Sequence, residues 1–364
     1  MTIRWRSATV DRLGATWAGS VELHATLTSG PEAGTGVKAL AHPDLVGTPR
    51  PGDRVLLNVS ALARGLGTGG YALVVALPDA LPEDPPPGPG HLVKARYTPL
   101  QTMVLGADDQ ESAHHDLLAD ADDLAGTPVV VADLHSALPA VVAGIRADAP
   151  GARVAYVMTD GGALPAAFSR AVSGLREAGW IAACVTTGQA FGGDLETATV
   201  HTGLLAAVLV TGADVVVVAQ GPGNLGTGSR WGFSGVAAGE ALNAAAVLGG
   251  RPVAALRVSE ADARPRHRGI SHHSLTAVGR VALAPADVPV PDTPGPFADG
   301  VREQARSLCG RHRYVEVPAA GLEEALATSP VRLSTMGRGL EADRASFVAA
   351  AAAGRHAAAL LTRT

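Results

Sequence analysis

The chain has 364 residues, of which 47% are hydrophobic, so it can form two hydrophobic cores and does not have the composition of a disordered protein. Its net charge of −5 gives no long-range attraction for nucleic acid or acidic membranes, and we expect neither as a partner. Charges near the N-terminus argue against a signal peptide, and no apolar run reaches the roughly 18 residues of a spanning helix, so we expect a cytoplasmic protein. The only cysteines, Cys184 and Cys309, support neither a disulfide framework nor a cysteine-based zinc site.

The first predicted domain, residues 1–77, is all-β. Short apolar segments such as SVELHATL, GVKALAH, DRVLLNVSA and YALVVAL are separated by Gly and Pro turns, which predicts a small antiparallel β-barrel or sandwich. Residues 78–90 follow with six prolines, which neither pair in a sheet nor continue a helix. We interpret them as a linker.

The second predicted domain, residues 91–364, alternates strands and helices. The predicted strands are PVVVAD, RVAYVMTD, IAACVTT, DVVVVAQ and PVAALRVS. Continuous apolar strands of this kind are buried on both faces, so we expect a doubly wound, mostly parallel α/β sheet of the three-layer Rossmann-like type. After residue 285 a Pro-rich connection is expected to lead to edge strands such as RYVEV and to covering helices, among them an alanine-rich C-terminal helix.

Loops that leave the predicted strands carry most of the polar residues, and in a parallel sheet these loops meet along one edge. Asp160 and Asp194 are candidate proton carriers there, together with His272. Asp194 has an alternative interpretation as a helix N-cap. His272 and His273 are adjacent, so on a helix we expect at most one of them to face a ligand.

The loop after DVVVVAQ is rich in glycine, and such a loop can turn backbone N–H groups toward an anion. It matches neither known phosphate motif well, because Pro222 interrupts the dinucleotide pattern and Ser229-Arg230 replaces the lysine and hydroxyl residue of the P-loop. A plain tight turn is the alternative. The candidate anion-binding residues in this loop are Gly221, Gly223, Asn224, Gly226, Gly228, Ser229 and Arg230.

A second cluster, Arg264, Arg266 and His267, follows the next strand and completes the candidate anion site, because guanidinium groups bind phosphate and carboxylate bidentately. A solvated basic loop is the alternative. A divalent metal is a further hypothesis, although no local spacing supports it. Its candidate ligands are Asp133, His135, Asp160 and His273.

Several stretches resemble the bacterial family catalogued as domain of unknown function 3866. They are LGTGGY (66–71), RYTPLQ (96–101), LHSALP (134–139), MTDGGALPAAFS (158–169), TTGQAFGGDLE (186–196), QGPGNLGTGSRWGFSG (220–235) and RPRHRGISHHS (264–274). This resemblance implies no activity.

The leading hypothesis is an enzyme that hydrolyses or transfers a group on a small anionic metabolite, of the phosphate or nucleotide kind, at the carboxyl edge of the sheet. The alternative is a small-molecule-binding or regulatory module without chemistry, which leaves enzyme status open. An NAD(P)-dependent oxidoreductase is disfavoured by the poor dinucleotide pattern. The sequence also leaves a homo-oligomer open.

Overall fold

The computed structural model describes residues 2–66 and 69–361 and divides the chain into two units. The first unit comprises residues up to 89 together with residues 95–102, and the second comprises residues 90–94 and 103–364. Positions 67 and 68, within the LGTGGY stretch, lie outside the described residues. Residues 78–90 run as irregular chain.

The first unit is built around a closed barrel with the strand order β1-β2-β3-β5-β4. Its elements are β1 (Trp5–Trp17), β2 (Ser20–Leu27), β3 (Gly36–Ala41), helix α1 (Pro43–Val46), β4 (Arg54–Asn58) and β5 (Ala72–Ala76). The barrel prediction is confirmed, but the strands are not all antiparallel, because β3 and β5 pair in parallel. This strand order, with a helix between β3 and β4, is that of the five-stranded OB-fold barrel.

The second unit contains an eight-stranded parallel sheet with the order β11-β10-β9-β12-β8-β13-β16-β17. Its strands are β8 (Pro128–Ala132), β9 (Val154–Thr159), β10 (Ala183–Thr186), β11 (Leu195–Glu196), β12 (Val215–Gln220), β13 (Arg251–Ala255), β16 (Asp287–Pro291) and β17 (Arg313–Val317). Short strand pairs outside the sheet use β6 (Leu92–Lys94), β7 (Thr102–Val104), β14 (Val258–Ser259), β15 (Gly269–Ile270), β18 (Ser334–Thr335) and β19 (Arg338–Gly339).

Helices cover both faces of this sheet. Alternate residues of one strand enter different cores. Val217 packs with the helices at 138–148 and 344–361, whereas Val216 packs with the helices at 200–205 and 237–247. The helices are α2 (His115–Leu118), α3 (Leu138–Asp148), α4 (Arg170–Glu177), α5 (Val200–Leu205), α6 (Ala237–Val247), α7 (His272–Thr276), α8 (Pro296–Arg306), α9 (Leu322–Ala327) and α10 (Arg344–Leu361). Among the described residues, no helix is both long and apolar enough to cross a bilayer.

Helices α3 and α10 pack with their backbones unusually close. A Cβ on Gly144 would lie 1.9 Å from Ala351 O, and a Cβ on Gly354 would lie 1.9 Å from Val141 O. Glycine at these two positions and the alanines of α10 therefore allow the contact. The expected alanine-rich helix is confirmed as a buried element of the core.

The Pro-rich connection expected after residue 285 is instead strand β16, which lies between β13 and β17. Asp292 N donates to Val317 O and Arg313 N donates to Ala286 O, so the even-numbered residues of this strand pair with β17. Its prolines at positions 289 and 291 therefore face β13, where pairing is limited to Asp287. Proline has no backbone N–H, and on the side of β13 this removes no hydrogen bond between strands.

Candidate functional site

Two loops meet at the carboxyl ends of the neighbouring strands β9 and β12. Ala163 N, beyond β9, donates to Pro222 O, beyond β12, at 2.9 Å. A Cβ on Gly162 would lie 2.2 Å from Gly221 O, and a Cβ on Gly221 would lie 2.4 Å from Ala163 O. Glycine at positions 162 and 221 is therefore required for the two backbones to touch.

The glycine-rich segment after β12 folds into a small hairpin, residues 221–235, whose tip is exposed. Gly226 pairs with Phe233, and Thr227 N donates to Gly232 O at 2.8 Å. Gly223 and Gly228 have φ of +97° and +81°, a region that favours glycine. A Cβ on Gly226 would meet only Asn224 Nδ2, at 3.9 Å.

Two of the predicted anion ligands are hydrogen-bonded within this hairpin. Asn224 Oδ1 accepts from Gln220 Nε2 and Ser234 Oγ at 3.0 and 3.1 Å. Ser229 Oγ accepts from Gly232 N at 3.1 Å. These side chains shape the hairpin, whereas Arg230 is exposed at its tip.

Three histidines form a cluster beside the hairpin: His267, His272 and His273. One side-chain nitrogen from each lies within 4.8 Å of the others. His273 stacks on Phe233 with ring centres 3.8 Å apart, which joins this histidine cluster to the base of the hairpin. Although His272 and His273 are adjacent, both of their rings contact His267, which reaches them from the turn before β15.

The histidine cluster lies near several arginines, with His267 and His273 buried and His272 partly exposed. Burial, reinforced by Arg257 and Arg264, lowers the pKa of His267 to about 4. Burial, reinforced by His272 and Arg257, lowers the pKa of His273 to about 3. Burial and Arg266 likewise lower the pKa of His272. All three rings are therefore neutral near pH 7, which is the form in which a ring nitrogen can bind a metal ion.

The arginines of this region differ in their partners. Arg264 binds Asp262 with two bonds of 2.8 Å, so its fork is already occupied, contrary to the anion clamp predicted for it. Arg266 has no carboxylate within 4.0 Å among the described residues. Its Nη2 would be 3.9 Å from a Cβ on Gly228, so it lies against the hairpin. Arg266 is thus a cation that an anion could reach beside the hairpin.

The predicted metal ligands do not converge. His135 is hydrogen-bonded at both ring nitrogens, to Tyr156 Oη at 3.0 Å and to Ser169 Oγ at 2.7 Å. Burial lowers its pKa to about 4. In the described part of the chain, potential metal-ligating atoms gather in two groups, the histidine cluster and an outer group of His91, Asp109 and Glu111. Of the predicted set only His273 belongs to either.

Two carboxylates predicted to carry protons also have structural partners. Asp160 is exposed at the end of β9, where its Oδ2 accepts from Gln189 N at 3.0 Å. Asp194 accepts from Cys184 N and pairs with Arg176 at 2.5 Å. It is not a helix N-cap, because Leu195 and Glu196 form β11 and helix α5 is capped by Thr199.

Three polar residues lie deeper in the same edge: Asp133, which belongs to the predicted metal set, and Gln220 and Arg257, which had no predicted role. Asp133, after β8, is buried, and burial raises its pKa. Its carbonyl oxygen accepts from Gln220 Nε2 at 2.8 Å, while Gln220 Oε1 is buried without a partner in the described structure. Arg257 Nη1 donates to His273 Nδ1 at 3.3 Å. Gln220 and Arg257 could have been found as the polar residues that end otherwise apolar strand segments.

Two small cavities lie at this edge. One, with room for about a single water molecule, is lined by Asp133, Ser136, Arg257 and Thr335. The other, no larger, is lined by Asp133, Thr159, Gln220 and Ser234. Asp133 borders both, so the carboxyl ends of β8, β9, β12 and β13 share one polar region.

A family model matches residues 38–354, described as protein of unknown function (DUF3866). No curated protein and no solved structure matches the chain. The matched range includes the hairpin, the histidine cluster and the arginines around it, and the description assigns them no role.

Proposed function

The chain belongs to the DUF3866 family of unknown function, and we propose from its own residues that it binds a small phosphate-bearing or nucleotide-like metabolite and acts on it by hydrolysis or group transfer. The observation that carries the proposal is the position of Arg266. Its guanidinium lies against Gly228 of the hairpin and lowers the pKa of His272, and no carboxylate lies within 4.0 Å of it among the described residues. An anion that entered here would meet a guanidinium group and exposed backbone.

The arrangement of the sheet supports the same location. The connection from β8 to β9 uses α3 on one face, and the connection from β12 to β13 uses α6 on the other. β12 and β8 are neighbours in the sheet, so the connections that leave these two adjacent strands run to opposite faces. We propose a doubly wound, Rossmann-like arrangement with its switch point here, and such a point opens a crevice where ligands bind.

In the proposed reaction, Arg266 binds oxygens of the phosphoryl group and offsets their charge. A water oxygen forms a bond to phosphorus while the bond from phosphorus to the leaving oxygen breaks. His272, the partly exposed ring of the cluster, accepts the proton of the water, and the leaving oxygen takes a proton from solvent. In group transfer, an acceptor hydroxyl replaces the water. Asp194 has no part, because Arg176 holds it.

Binding is tested by thermal-shift titration with inorganic phosphate, nucleoside mono-, di- and triphosphates and a sugar phosphate. Arg266→Ala should weaken the best ligand roughly 5- to 30-fold, the equivalent of about 1–2 kcal/mol for a partly exposed charged contact. Arg268→Ala is the matched control, since it removes an exposed arginine two positions away. The proposal fails if no compound stabilises the wild type, or if the two variants bind equally well.

Turnover separates an enzyme from a binding module. Phosphate release, or transfer to an acceptor alcohol, is measured with the ligand found above. An enzyme should lose turnover in His272→Ala while Arg268→Ala keeps it. If the wild type binds the ligand and never converts it, the catalytic half of the proposal is wrong and the binding half stands.

A further inference from the structure

We propose that His267, His272 and His273 together bind one divalent transition-metal ion of the zinc class. Three imidazoles are a common ligand set for zinc and leave a fourth position open to water or to an anion. A bound ion would take the lone pair with which His272 accepts a proton in the proposed function, so proton acceptance by His272 belongs to the metal-free chain. Any role of the ion in the reaction rests on the proposed function, whereas its binding does not.

The spacing of the three rings suits a single ion. Three imidazoles bound to one tetrahedral ion, with metal–nitrogen distances of about 2.1 Å, have ring centres about 5 Å apart. The ring centres of His267 and His272 are 5.0 Å apart, those of His267 and His273 are 4.9 Å apart, and those of His272 and His273 are 4.4 Å apart. The last pair must widen by about 0.6 Å to reach that spacing, and the three nitrogens, which lie within 4.8 Å of one another, must turn toward one shared position.

Two of the rings, those of His267 and His272, have a nitrogen that is available to bind a metal ion. His272 Nε2 is buried and has no hydrogen-bond partner in the described structure. His267 Nδ1 lies 2.8 Å from Ser271 Oγ. If His267 donates that bond, its Nε2 lone pair is unprotonated and available, which is the arrangement common among metal-bound histidines.

The third ring, that of His273, must lose its hydrogen bond from Arg257 before it can bind a metal ion. Arg257 Nη1 donates to His273 Nδ1 at 3.3 Å, a long bond. A metal ion at either nitrogen of His273 requires this bond to break, because the nitrogen that does not bind the metal then carries the proton. The carboxylate of Asp133 attracts Arg257, so the guanidinium has a buried counter-charge toward which to turn.

The outer group fits this class of ion less well. Its His91 side chain is 76% exposed, and its remaining members are carboxylates, a set that suits magnesium or calcium better than zinc. Glu111 also accepts a bond from Gly90 N at 2.8 Å. Variants at position 91 therefore serve as a control for the location of the ion.

The test uses Co²⁺ as a spectroscopic probe with the full chain after treatment with a chelator. We expect one equivalent of Co²⁺ to bind with the visible absorption of a low-symmetry, nitrogen-ligated site, and Zn²⁺ to displace it. His272→Ala and, separately, His267→Gln should each weaken Co²⁺ binding at least about 100-fold, more than the loss of an outer-shell partner. His91→Ala and His201→Ala, which replace exposed histidines elsewhere, should bind Co²⁺ like the wild type.

Each outcome decides the matter. Co²⁺ binding that is absent in the folded wild type, or that is equal in His272→Ala, overturns the metal site. Loss in His91→Ala instead would place the ion in the outer group and also overturn it. Metal binding without any response to phosphate compounds would leave this inference standing and refute the proposed function. A response to phosphate compounds without metal binding would refute this inference and leave the proposed function standing.

Discussion

Replacing Gly162 with alanine tests whether the site depends on close backbone contact between its two loops. A Cβ at position 162 would lie 2.2 Å from Gly221 O and 2.8 Å from Gly223 O, whereas ordinary contacts begin at 3.4 Å. Both obstacles are backbone atoms, so one loop must shift by about 1 Å. Overpacking that moves the backbone costs about 1–3 kcal/mol. A loss of about 2 kcal/mol lowers the Tm of a unit this large by roughly 4–8 °C.

The assay is thermal unfolding followed by circular dichroism, with Gly226→Ala as the matched control. A Cβ at position 226 would meet only Asn224 Nδ2 at 3.9 Å, and its φ is not positive, so this variant should melt within about 1 °C of the wild type. Equal melting temperatures for the two variants would refute the reasoning, because they would show that the loops separate at no cost.

Two further predictions concern the frame that holds the site. Gly144→Ala should lower the free energy of unfolding by about 2 kcal/mol or more, because its Cβ would lie 1.9 Å from Ala351 O. Gly300→Ala should raise the free energy of unfolding by up to about 1 kcal/mol, because a Cβ there meets open space and alanine is favoured over glycine in a helix such as α8. Urea unfolding measures both, and equal effects would contradict the packing argument. Burial opposes ionisation of Asp287, but hydrogen bonds from His356 and Arg313 outweigh it and lower its pKa to about 2. Asp287→Asn should therefore cost about 2 kcal/mol at pH 7, and the difference from the wild type should disappear as the pH falls from about 4 to 2; a difference that stays constant over that range would show that the carboxylate is not its source.

The main elements of the fold could be predicted because their signals are local. A run such as Val215–Gln220, apolar throughout, becomes a strand buried on both faces. Strand β16 could not be predicted in this way, because prolines are acceptable there only through its one-sided pairing, which depends on its neighbours. Likewise, the chain after Asp194 forms strand β11, which pairs with β10, and not the helix that was the alternative there. This pairing is a contact between segments that local sequence does not encode.

The location of the candidate site was easier to predict than the roles of its residues. The loops after β9 and β12 do meet, as the rule for parallel sheets predicts. The three-histidine cluster was missed because helical spacing separates His272 from His273, and the approach of His267 depends on the β14–β15 hairpin. The pairing of Arg264 with Asp262, two residues apart, had a local signal that could have been used.

Closure of the N-terminal barrel limits how that unit can be recognised. Each of its five strands is hydrogen-bonded to two others, so these strands present no open edge on which a foreign chain can extend the sheet. Binding by β-augmentation is therefore disfavoured at this barrel. Edge-to-edge aggregation is disfavoured for the same reason, since it also needs an open strand edge. Any recognition by this unit must use side chains or loops on the outside of the barrel.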